Sequence, residues 1–204
     1  MKSKRLEGWI IFLLYASSAL LYVIPFIACA TSGICDPTAK DNHLSISHVI
    51  RQTYWNTTYA FLTASFVISS ACIEYSVAKY TWIKALVVIS AFFTAIPAAV
   101  PVDNKTGWSA ADYLHTIGAG MAAVLQFVFC ITLLFRKDMK AYLVPLSVSV
   151  ASFSLALALL VVNTALRSTS NGSTFENVGF FVSEYLITAS VFGALRTIIV
   201  SRGA

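Results

Sequence analysis

Six long runs almost free of charge, drawn at residues 8–30, 55–77, 81–101, 109–135, 141–166 and 177–200, take up most of the chain and leave little choice of fold. A hydrocarbon core of about 30 Å is crossed by roughly 20 apolar residues in a helix, which satisfies its own backbone N–H and C=O groups where no water can. Each run meets that length. The reading is an all-α polytopic membrane protein: a single domain, residues 1–204, folded as a compact bundle of six transmembrane helices. Charged residues make up 11% of the chain, against roughly 25% in soluble domains, which agrees with that reading. No stretch is left for a separate soluble catalytic domain, so any chemistry is expected in the bundle or its loops. The first run is longer than a signal-peptide core and leads into a polar loop, not a small-residue cleavage site, so it is read as a retained span.

Basic residues set the orientation. Lys2, Lys4, Arg5, Lys79, Lys84, Arg136, Lys137, Lys140, Arg196 and Arg202 fall on the side of the termini, against Lys40, Arg51, Lys105 and Arg167 on the other. That bias predicts both termini in the cytoplasm and the long first loop outside. Three acidic residues accompany the first group and six the second, which leaves +7 on the side of the termini and −2 opposite. The surplus reads as an orientation signal with an attraction to anionic headgroups. Membrane lipids are the expected partners; nucleic acid is not, because no basic face alternates with aromatics in a folded polar region.

Four cysteines are too few for a disulfide scaffold. Cys72 and Cys130 sit within spans as small apolar packing residues, whereas Cys29 and Cys35 fall at or beyond the outer end of the first span and form a candidate disulfide. Asn56, Asn104 and Asn171 open N-x-[ST] sequons, all on the outer side, and are candidate glycosylation sites. The first loop, residues 31–54, is the longest and holds His43 and His48 among Asp36, Asp41, Ser45 and Ser47. Five residues apart, these histidines lack the i, i+4 spacing that sets two imidazoles on one helix face, so they read as solvated loop residues and no metal is expected.

Within the spans, Pro25 reads as a tolerated kink. The second span is dense in hydroxyls, Thr57, Thr58, Thr63, Ser65, Ser69 and Ser70, which suits close helix packing. Near its end Glu74 is expected to reach water or Lys79. In the fifth span, Ser147 with Ala151 and Ser154 with Ala158 follow a small-xxx-small spacing that predicts an interface inside the bundle.

The candidate site centres on the fourth span. Asp112 and His115 are three apart and share a helix face, which continues through Gly118, Ala119 and Ala122. Ionisable groups at membrane depth are costly unless paired or wetted, which marks them for function. With Asp103, Asn163 of the fifth span and Glu184 of the sixth, they outline a polar pocket opening outward under the first loop, made by spans three, four and six. In that pocket Asp112, His115 and Glu184 are candidate acid/base groups and all five are candidate ligand-binding residues. The competing reading is a satisfied network that only fixes helix register. The chain has no G-x-S-x-G elbow, H-E-x-x-H, glycine-rich phosphate loop or cysteine-rich metal cluster, and one histidine and no mid-span lysine in the spans speak against haem and retinal. No cofactor is expected.

Asp36-Pro37 at the start of the first loop, Ile46-Ser47 before the second span, and Pro101-x-Asp103 followed by His115 resemble the motifs of a family of six-span membrane proteins, domain of unknown function 998. His48-Val49 stands where that family has Glu-Leu, and Val100 where it has Phe. The resemblance implies the six-span plan over nearly the whole length and, by distant similarity to proteins of lipid remodelling and membrane stress, a connection with lipid. The leading expectation is a membrane protein that binds or handles a lipid or small amphiphile in the outward pocket. The alternatives are a membrane-embedded acid/base enzyme acting on a lipid or isoprenoid, and a structural subunit of a membrane complex or homo-oligomer.

Overall fold

The computed structural model describes residues 2–32, 46, 56–100, 109–167 and 174–203. It is an all-α bundle of six long helices: α1 Lys2–Ser32, α2 Asn56–Val77, α3 Thr81–Ala99, α4 Ala110–Leu134, α5 Leu143–Arg167 and α6 Thr174–Gly203. A 3-10 helix, Lys137–Tyr142, joins α4 to α5. All six helices are long and apolar enough to cross a membrane, and the chain is an integral membrane protein.

Burial runs opposite to that of a soluble domain. Phe61, Ile68, Phe92 and Val144 face outward, each more than 60% exposed, while Ser17, Ser18, Ser69, Ser70, Ser90, Ser183 and Ser190 lie inside. Lipid is as apolar as leucine, so small side chains and close backbones, not apolar burial, hold such helices together. Four of the hydroxyls of α2 are satisfied within their own helix. Thr63, Ser65, Ser69 and Ser70 donate to the carbonyls of Tyr59, Phe61, Ser65 and Val67 in their own helix, which is how a buried hydroxyl is satisfied without a partner helix.

The tightest pairs are α5 with α6 and α3 with α4, and glycines mark both seams. A Cβ on Gly118 would stand 2.9 Å from Ile96 of α3, and one on Gly193 would stand 2.7 Å from Ser149 Oγ of α5. Gly118 and Ala122 are therefore buried, as their shared face with His115 suggests, but Ala119 turns outward. The fifth span corrects its expectation more fully. Ser147, Ala151, Ser154 and Ala158 are all exposed on the bundle's outside. The inward residues of α5 are instead Leu146, Ser149, Phe153, Ala156 and Asn163, of which Ser149 and Asn163 pack on Gly193 and Gly179 of α6 and Phe153 meets Phe127 of α4.

At the end holding the termini, two turns are stitched together. Arg136 donates to Val77 O at 2.7 Å, completing the end of α2, and pairs with Asp138, which also binds Lys79. Arg202 pairs with Glu7, setting the last turn of α6 beside the first of α1. The α1–α6 seam is otherwise aromatic: Tyr15 meets Phe192 edge to face, and Tyr22 and Phe26 meet Tyr185 and Phe181.

Candidate functional site

Asp112 and His115 are both buried, and the hydrogen bonds described for them lie at the start of α4 and the end of α3. Ser109 is its N-cap: Ser109 Oγ accepts from Asp112 N at 3.2 Å, while Asp112 Oδ2 accepts from Ser109 N at 2.8 Å and from Ser109 Oγ at 2.7 Å. This reciprocal capping box satisfies backbone donors that the first turn leaves unpaired. An acid there also meets the positive end of the helix dipole. His115 Nδ1 lies 2.7 Å from Val100 O, the C-cap of α3. A carbonyl only accepts, so Nδ1 carries the proton and the ring ties the end of α3 to α4. The signal for the cap was in the sequence: Ser109-Ala-Ala-Asp112 has capping-box spacing.

Glu184 lies elsewhere. Its Oε2 accepts from the backbone N–H of Ile46, in the first loop, at 2.6 Å. Ile46 is 7% exposed and packs into the core. Ile46 thus sits in the bundle and is held there by a carboxyl from α6. Tyr59 of α2 and Tyr185 of α6 lie near that carboxyl, and the ring of Tyr22 of α1 packs on that of Tyr185 with centroids 5.5 Å apart. Tyr185 donates to Tyr22 O at 2.9 Å, whereas the Tyr22 hydroxyl is buried with no hydrogen-bond partner.

Asn163 is fully buried, and neither its amide oxygen nor its nitrogen has a partner. It packs directly on Gly179 of α6, where only a glycine leaves room for it.

Four of the five expected residues are among those described, and each has its own immediate surroundings. Asp112 and His115 belong to the α3–α4 end, Glu184 to α1, α2 and the first loop, and Asn163 to the α5–α6 seam. No hydrogen bond or ion pair among the described residues joins Glu184 to either of the first two. Asp103 lies outside the described residues, as do Cys35, His43, His48, Asn104 and Asn171, and the side chain of Asn56. Cys29 is disulfide-bonded, whereas Cys72 and Cys130 are free.

Glu74 was expected at the water surface and is not there. It is 1% exposed, and its carboxylate accepts from Gln126 Nε2 of α4 at 3.2 Å. Lys79 pairs with Asp138 instead. No group of three or more His, Cys, Asp or Glu among the described residues is placed to hold a metal.

Comparison with family models, curated proteins and solved structures finds no match to this chain.

Proposed function

We propose that this membrane protein binds the polar head of a lipid or small amphiphile between α1, α2 and α6, at the end of the bundle that carries the first loop. The observation that supports this most is Glu184 itself: a carboxyl at membrane depth whose described hydrogen-bond partner is one backbone N–H, next in sequence to Tyr185, whose ring packs on Tyr22, a tyrosine with a buried hydroxyl that has no hydrogen-bond partner among the described residues. A carboxylate among tyrosine faces suits an amine or quaternary ammonium head, attracted by charge and by the ring quadrupoles. The acyl part of such a molecule would run out between helices into lipid, and Ile46 would cover the head. The resemblance to domain of unknown function 998 belongs to this reading, since Ile46 is part of its Ile-Ser element. So does the orientation with cytoplasmic termini, which puts the site on the outer side.

Two substitutions separate ligand binding from architecture. Glu184→Gln keeps an acceptor for Ile46 N–H but removes the charge. Tyr22→Phe removes a hydroxyl that is unpaired in the protein, which costs the fold little or nothing. Native mass spectrometry with lipid analysis of the purified protein is expected to find a stoichiometric amphiphile in the wild type, lost in Glu184→Gln and reduced in Tyr22→Phe, with both variants folded. A wild type that carries no amphiphile, or a Glu184→Gln variant that retains it in full, rejects the reading.

A further inference from the structure

At the opposite end of the bundle, Glu74 and Gln126 make an arrangement that the preceding reading leaves unused. Glu74 stands on α2 one turn from its end at Val77, and Gln126 faces it from α4. Their hydrogen bond, Nε2 to Oε2 at 3.2 Å, ties α2 to α4, the two helices that flank α3. The two oxygens left over, Glu74 Oε1 and Gln126 Oε1, are both buried and both without a hydrogen-bond partner among the described residues. Both are acceptors if the carboxyl is ionised, so nothing in the pair can satisfy either of them.

A basic partner would resolve this, and among the described residues none is paired with Glu74. Lys79 and Arg136 are committed to Asp138. Lys84 of α3 lies over the ring of Tyr75. On α1, Lys4, Arg5 and Glu7 are exposed in the first turns, and on α6 Arg196 is exposed while Arg202 pairs with Glu7. The titratable group facing Glu74 from α4 is Cys130, which is buried and free and brings no positive charge. An isolated ionised carboxylate in such surroundings carries a desolvation cost that proteins avoid by pairing or neutralising the group.

One proton settles all of it. A carboxylic acid and a primary amide are complementary: the amide N–H donates to one acid oxygen, and the acid O–H donates to the amide oxygen, closing a ring of two hydrogen bonds. The first bond is in place, and the two unpaired atoms are the ones the second would join. We propose that Glu74 and Gln126 form a proton-binding site within the membrane, with Glu74 held as the neutral acid and Oε1–H donating to Gln126 Oε1. A hard metal cation is a poorer occupant, because two side chains offer three oxygens where such ions take about six. Loss of the proton sets two acceptors against each other with no donor between them, so protonation controls the tie between α2 and α4.

The test is infrared difference spectroscopy of the purified protein at neutral pH in sodium-free buffer, comparing wild type with Glu74→Gln, Gln126→Leu and Glu184→Gln. The expected result is a protonated-carboxyl C=O band that is lost in Glu74→Gln, kept in Glu184→Gln and shifted in Gln126→Leu. A parallel measurement on the wild type alone needs no variant to fold. Dicyclohexylcarbodiimide adds to a protonated carboxyl in apolar surroundings: the acid proton moves to a carbodiimide nitrogen as the carboxyl oxygen bonds to the central carbon. The acyl group then migrates to nitrogen, so the stable adduct keeps every atom of both reactants. Peptide mass spectrometry is expected to place that adduct on Glu74. Absence of any Glu74-dependent C=O band together with absence of the adduct overturns the proposal. So does a band present without sodium and abolished by adding it, which would make the site a cation site instead.

Discussion

At the residue scale, the two ionisable groups that stand out most in the sequence turn out to be employed by the backbone. Asp112 and Ser109 cap α4 reciprocally, and His115 holds Val100 O, so each removes an unpaired helix-end group from a medium that offers no water. If capping is what Asp112 does, Ser109→Ala and Asp112→Asn act on the same box. Each is expected to lower stability by about 1 kcal/mol, and the double variant by less than the sum, because partners in one hydrogen-bond network are not additive. Unfolding by denaturing detergent, followed by circular dichroism, measures all three. Additive losses would mean that Asp112 has a second task apart from the cap. Spacing alone showed that Asp112 and His115 share a face. It could not show what that face meets, because Val100 sits fifteen residues from His115 and is brought there by the hairpin.

At the element scale, sequence and structure part company over which side of a helix is inside. Lengths and ends were legible because they rest on apolar runs, prolines and charged turns. Facing was not, since α5 is apolar or hydroxylated nearly all round and the small-xxx-small pairs that marked a face, Ser147 with Ala151 and Ser154 with Ala158, lie on its outward side. Ser147 and Ser154 lie on the outward face and Ser149 and Asn163 on the inward one, two faces that composition cannot tell apart in a helix apolar on every side. Glu74 misled for a related reason: its nearness to the end of α2 suggests water, but it stands on the face of α2 turned to Gln126 of α4 and is buried there. Glycine contacts give a sharp check on the facing now seen. Gly118→Ala drives a methyl against Ile96 and is expected to cost about 1–3 kcal/mol as overpacking. Gly120→Ala, which meets nothing within 4 Å, is expected to be neutral or slightly stabilising, as alanine is the better helix former. Equal effects of the two in the same unfolding assay would put the wrong face of α4 against α3.

At the scale of the whole molecule, six spans with Glu7 bound to Arg202 put both termini at one end, so locating either terminus locates every loop. The ten basic residues of that end are not equivalent. Lys79, Arg136 and Arg202 are held in ion pairs, and Arg136 also completes α2, so replacing them perturbs the fold as well as the charge bias. Lys4, Arg5, Lys137 and Lys140 have no ion pair among the described residues and supply bias alone. Orientation should therefore depend on the second group without stability doing so. In sealed vesicles of known sidedness, a tag at the carboxyl end of the wild type is expected on the cytoplasmic side, with Asn171 on the other and open to glycosylation in a membrane that performs it. Replacing Lys4, Arg5, Lys137 and Lys140 with glutamine is expected to give a mixture of orientations with detergent stability within about 0.5 kcal/mol of wild type, as for other surface changes. Should the quadruple variant keep a single orientation, the bias resides in the ion-paired residues or in the apolar spans themselves. A wild-type tag on the outer side would reverse the whole assignment, placing the Glu184 site toward the cytoplasm and the Glu74–Gln126 pair near the outer face.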